Sequence, residues 1–182
     1  MGELGKFMGG GTPSTKNVSF WNGTIPWISS SDLTDGDIFK LKITRYLTKE
    51  AIDQSATKII PSKSILIVAR VRVGKIAVNE IPVCTSQDFL NLIVNEEVCN
   101  YKFLALLLQA KTKYLLGFVQ GTSIKGFVKD DLSNLSFTIP SIVEQTTIAK
   151  FLTSIDKKIA LLDTKLQQAQ TFKKGLLQQL FN

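Results

Sequence analysis

Apolar positions change their spacing along this chain, and the spacing predicts the elements. Residues 64–68 are a short apolar run of strand length, read as a buried strand, with an alternating stretch on to Val73. Residues 48–54 read as a short helix. Residues 100–109, with Tyr101, Leu104, Leu107 and Leu108 at steps of three and four, read as a core-facing helix. Residues 118–128 read as strand and loop, and residues 135–139 alternate as a last strand before Pro140. The first 30 residues are turn-rich, with residues 9–14 and 21–27 carrying glycine, proline and tryptophan.

The longest periodicity comes last. Ile148, Leu152, Ile155, Ile159, Leu162, Leu166, Ala169, Leu176 and Leu180 follow alternating steps of four and three, with Lys173 in the one missing slot. This is a coiled-coil seam of more than four heptads. A helix over residues 141–181 would be roughly 60 Å long, about twice the width of a small domain. It is therefore expected to project, and its apolar seam to require a partner helix. Ser141 and Glu144 form a capping-box pattern at its start, and Gly175 marks a bend or early fraying.

Composition agrees with a break near Pro140. Eleven of the 12 glycines and all five prolines lie at or before it. The expectation is α+β: a mixed α/β head with a twisted sheet over residues 1–140, then one projecting helix over residues 141–182. No internal repeat is visible.

The net charge of +7 favours an anionic partner, nucleic acid or a membrane surface. It divides into 16 basic against 12 acidic residues in the head and 6 against 3 in the helix. There is no histidine, which excludes Ser-His-Asp triads, Cys-His pairs, HExxH zinc sites and histidine switches. Cys84 and Cys99 form no CxxC pair and read as reduced, partly buried thiols. No signal peptide or membrane-length apolar run is seen, so the expected location is cytoplasmic.

Arg70, Arg72 and Lys75 read as one ridge of a strand. Such a ridge suits DNA phosphates or guanine edges, or is a solvated strand face. The glycine loops at residues 9–14 and 120–125 lack GxGxxG and GK[ST]. They read as phosphate contacts or plain turns. Trp27 reads as a core plug. No PD…(D/E)xK or [DN]PP[YF] motif is present. The candidate DNA-contacting residues are Thr12, Ser14, Lys16, Trp21, Ser30, Arg70, Arg72, Lys75, Gln87, Gln120, Thr122, Ser123 and Lys125.

The ordered set Gly9-Gly10-Gly11-Thr12-Pro13-Ser14, Phe20-Trp21-Asn22-Gly23 and Ile25-Pro26-Trp27 resembles the opening of a target recognition domain. That domain belongs to the specificity (S) subunit of Type I restriction–modification systems. Arg70 with Gly74-Lys75, Gly121-Thr122-Ser123, and Ile139-Pro140 followed by Glu144-Gln145, Ile148 and Asp156 continue the likeness.

The resemblance implies a non-catalytic subunit that reads half of a split DNA site in the major groove. Its long helices pair antiparallel and dock methyltransferase (M) subunits, and restriction (R) subunits join through them. It also implies that S-adenosylmethionine, ATP and Mg belong to the partners and that this chain binds no cofactor. A full S subunit has two such domains. One domain here implies a fragment, or a half-subunit that forms a homodimer through the seam. The competing reading is a coiled-coil protein–protein adaptor. Its discriminator is whether the basic and glycine-loop residues cluster on one face of the head.

Overall fold

The computed structural model describes residues 1–117 and 126–181. Among these residues eight strands run in order: β1 (Gly5–Gly9), β2 (Ile25–Ile28), β3 (Arg45–Leu47), β4 (Ile59–Ile60), β5 (Ser64–Val68), β6 (Ile76–Asn79), β7 (Val83–Thr85) and β8 (Phe89–Val94). Five helices accompany them: α1 (Lys49–Asp53), α2 (Tyr101–Ala110), α3 (Thr112–Leu116), α4 (Lys129–Asn134) and α5 (Ile142–Phe181). Where the pattern suggested one sheet, there are two of four strands each, ordered β1-β8-β5-β6 and β3-β2-β7-β4.

The unbroken apolar run of β5 is explained by its place between layers. Ile65 and Ile67 face a cluster shared with Leu104, Leu108 and Leu115 of the helical layer. Leu66 and Val68 face a second cluster, with Ile28 and Ile60 and Val83 of the other sheet. Both faces are covered, so alternation gives way to continuous hydrophobicity. A third cluster, with Trp27, Leu47, Ala51 and Cys84, closes the outer side of the second sheet.

The helices start where side chains satisfy free backbone N–H groups. Thr48 accepts from Ala51 N–H at 3.2 Å, and Asn100 accepts from Lys102 and Phe103 N–H at 3.1 Å. Ser141 Oγ accepts from Glu144 N–H at 3.4 Å at the start of α5. Gly175 does not interrupt α5, whose 40 residues run unbroken.

Two expected strands are absent. Residues 135–139 form no strand. Residues 69–75 are the connection between β5 and β6 rather than a strand. Val71, Arg72 and Gly74 all take positive φ there, at 43°, 66° and 90°, which turns the chain back on itself. Arg70 and Arg72, expected on one face of a strand, are thus turn residues.

Candidate nucleic-acid interface

Strand pairing gathers several loops at one end of the head. In the first sheet Gly9 faces Leu90, Val68 faces Phe89 and Ile67 faces Ile76. The turns after β1, after β5 and before β8 therefore leave the sheet together. The parallel pairing of Ile28 with Thr85 brings the end of β2 to the same place.

Backbone contacts fasten these turns to one another. Gly11 N–H donates to Thr85 C=O at 2.8 Å, and Arg70 N–H donates to Asp88 C=O at 3.1 Å. A Cβ on Gly10 would lie 2.1 Å from Ser86 O, so the close approach of the two loops requires glycine. Thr12 donates its hydroxyl to Gln87 Oε1 across the same gap. Phe127 N–H donates to Ala69 C=O at 3.0 Å, which brings the chain leaving residues 118–125 to Arg70.

The two tryptophans hold the glycine loop. Trp27 is buried and donates to Gly11 C=O at 3.0 Å, while half-buried Trp21 donates to Ser14 C=O at 3.1 Å. Their rings meet edge to face at 5.0 Å. Arg45 lies over Trp27 at 4.4 Å and forms an ion pair with Asp32, which also accepts from Ser29 N–H at 2.7 Å. Thr57 donates to Gly11 C=O at 3.0 Å. Arg45, Asp32 and Thr57 were not singled out from sequence. They are single polar residues in unremarkable runs, and only the fold brings them under the loop.

The expected contact residues divide by position. Thr12 is half-buried, while Ser14, Lys16, Gln87, Arg70 and Arg72 are exposed on the loops just described. Trp21 uses its indole N–H on the loop backbone and acts there as a support. Ser30 is buried at 8% exposure in a short 3-10 turn capped by Ser29, which corrects its expected place on the surface. Lys75 is ion-paired with Asp35, so it does not extend an arginine ridge; the left-handed turn at residues 71–74 re-aims it. That pairing holds the Asp35 carboxyl below its ordinary range. Gln120, Thr122, Ser123 and Lys125 lie outside the described residues.

Burial raises the thiols of Cys84 and Cys99 to about 11, and both are free. Among the described residues, no group of three or more Cys, Asp or Glu side chains is placed to hold a metal ion. No helix among them is long and apolar enough to cross a membrane.

At the opposite end, α5 leaves the head. Gln145 and Ala149 are its buried residues, and Ile148 packs half-buried against the head core, so this first seam position is occupied by the chain itself. Beyond it the seam is bare: Leu152 and Ile155 are 38% exposed, and Leu162 is 63% exposed. Ile159, Leu166, Ala169, Leu176 and Leu180 are likewise exposed.

The head thus carries a cluster of polar loops at one end and continues into a long helix whose seam is exposed. The chain belongs to the Type I restriction modification DNA specificity domain family, whose model matches residues 1–171. It is 31% identical over 179 residues to the MjaIX specificity subunit of Methanocaldococcus jannaschii, covering 97% of this chain and 40% of that one. It is 33% identical over 163 residues to the EcoR124I/EcoR124II specificity subunit of Escherichia coli, covering 86% of this chain and 40% of that one. In fold it is similar to the HsdS subunit from Thermoanaerobacter tengcongensis, with a TM-score of 0.66 at 20% identity over 89% of this chain and 37% of that one. The chain thus spans well under half the length of the relatives it matches.

Proposed function

We propose that this chain is the sequence-reading component of a Type I restriction–modification complex. Its head reads one half of a bipartite double-stranded DNA target through the major groove. Its helix docks methyltransferase subunits, with restriction subunits joining through them. The chain performs no chemistry; S-adenosylmethionine, ATP and Mg belong to the partners. Two copies associate through the α5 seam to supply the two half-site readers.

The observation that carries this reading is the convergence of the turns bearing Thr12, Ser14, Lys16, Arg70, Arg72 and Gln87 at one end of the first sheet. A protein adaptor with scattered surface charge has no need of that convergence. Duplex DNA binding followed against salt tests it. Each phosphate contact releases condensed counterions, so affinity must fall steeply between about 50 and 200 mM salt. Binding insensitive to salt over that range would count against DNA reading.

A further inference from the structure

The connection between β5 and β6 is fixed at both stems and bare at its tip. Ala69 and Arg70 N–H both donate to Asp88 C=O, at 2.7 and 3.1 Å, and Ala69 C=O accepts from Phe127 N–H at 3.0 Å. On the returning side Gly74 N–H donates to Val68 C=O at 3.0 Å, and Val68 N–H donates to Lys75 C=O at 2.9 Å. Val73 packs half-buried against the head core, and Lys75 is ion-paired with Asp35. A Cβ on Gly74 would lie 3.0 Å from Leu116 Cδ2, so the turn also rests closely on α3.

Between these anchors stand Arg70, Val71 and Arg72, all exposed. Val71 is 62% exposed and holds φ 43°. A single exposed valine needs no explanation. One held at positive φ does, because for a β-branched residue this is a true outlier and persists only where the surroundings over-determine it. Glycine or asparagine would make the same turn with little strain. The fold thus gives up stability to keep an isopropyl group at this tip, between two arginines.

We propose that Val71 is a specificity-determining residue whose isopropyl group packs on the C5-methyl of a thymine in the major groove. This rests on the DNA-reading function above and adds what one turn reads. Valine has neither donor nor acceptor, so it cannot read the hydrogen-bonding pattern of a base edge. The thymine methyl is the one apolar group that the bases present in the major groove. Arg70 and Arg72 beside it offer charge to backbone phosphates, which fix position without reading sequence. The clamped backbone holds the group in place before DNA arrives, so binding has little left to order.

The complex of this chain with its methyltransferase subunit tests the assignment, on duplexes of the recognised sequence found by methylation profiling. Each thymine of one half-site is replaced in turn by deoxyuridine, which removes the methyl and keeps every hydrogen-bonding group. One replacement should weaken binding about fourfold, the weight of one buried methyl group. Val71→Asn and Val71→Gly relieve the strain, so both variants should fold. Each should bind the thymine and deoxyuridine duplexes alike at that position, with an unchanged slope of log affinity against log salt.

A half-site with no thymine, wild-type binding indifferent to every replacement, or a deoxyuridine effect that survives in both variants overturns the assignment and leaves DNA reading standing. Variants that lose affinity equally on duplexes of any sequence make Val71 a contact that reads nothing, and likewise overturn it. A wild-type complex that binds no defined sequence, or binds without salt dependence, overturns the DNA-reading function and the assignment with it.

Discussion

Asn100 and Gln145 join the two helices that set the direction of α5. The side-chain oxygen of Gln145 accepts from Asn100 N–H at 2.9 Å, and its Nε2 donates to Pro140 C=O at 2.9 Å. Asn100 at the same time caps α2 and donates from Nδ2 to Thr146 Oγ1 at 3.4 Å. Gln145 is 1% exposed, so its partners have no water to turn to. Gln145→Leu keeps the volume and removes both bonds. It should lower unfolding free energy by about 1–3 kcal/mol in urea denaturation. An unchanged midpoint would show that other contacts orient the helix.

Val71 sits at φ 43° in the turn after β5, a conformation costly for a β-branched residue. Such strain costs about 1–3 kcal/mol. Val71→Gly should therefore raise the denaturation midpoint despite making the unfolded chain freer. At Gly10 the sign reverses, because Gly10→Ala drives a methyl into Ser86 O and should destabilise. A loss of stability in Val71→Gly would place the turn's support elsewhere.

Arg70 and Arg72 stand on the converged turns, whereas Lys75 is already paired with Asp35. Arg70→Ala should weaken duplex binding and reduce the slope of log affinity against log salt by about 0.9 if it neutralises one phosphate. Arg72→Ala should act in the same direction. Lys75→Ala should cost less, since the lysine already has a counter-charge. Salt titrations on a common duplex measure all three slopes, and equal losses from Lys75 and Arg70 would contradict the placement.

Cys84 and Cys99 are buried thiols raised to about 11 from an ordinary 9.0. Both should resist alkylation at pH 8 until the chain unfolds, because the thiolate is the nucleophile. The sign of the linkage follows from the same shift. Unfolded thiols ionise first, so stability is full below about pH 9 and falls as pH rises toward 11. Rapid alkylation of native protein at pH 8 would show that the head opens.

The helices α1, α2 and α5 and the strand β5 were legible in the sequence, and Ser141 could be placed as the cap that begins α5, whereas the caps Thr48 and Asn100 emerge only in the fold. The arginine turn was not legible. Alternation of arginine and valine has the period of a strand, and nothing local announces two non-glycine residues at positive φ. The end of the head was misread in the same way, since residues 135–139 alternate without a neighbouring strand to pair with. Glu144-Gln145 could be recognised as a motif, but the burial of Gln145 depends on a helix 45 residues earlier. The scaffold of Arg45, Asp32 and Thr57 under the glycine loop depends likewise on contacts across the sheet.

The central claim is that one head, present twice, reads both halves of a target. Methylation profiling of DNA from cells carrying this chain as the sole specificity polypeptide, together with its methyltransferase subunit, tests it most directly. The account predicts one modified sequence, in two parts, related by two-fold symmetry across a fixed spacer. Modification at an asymmetric bipartite sequence, or at no defined sequence, would contradict it.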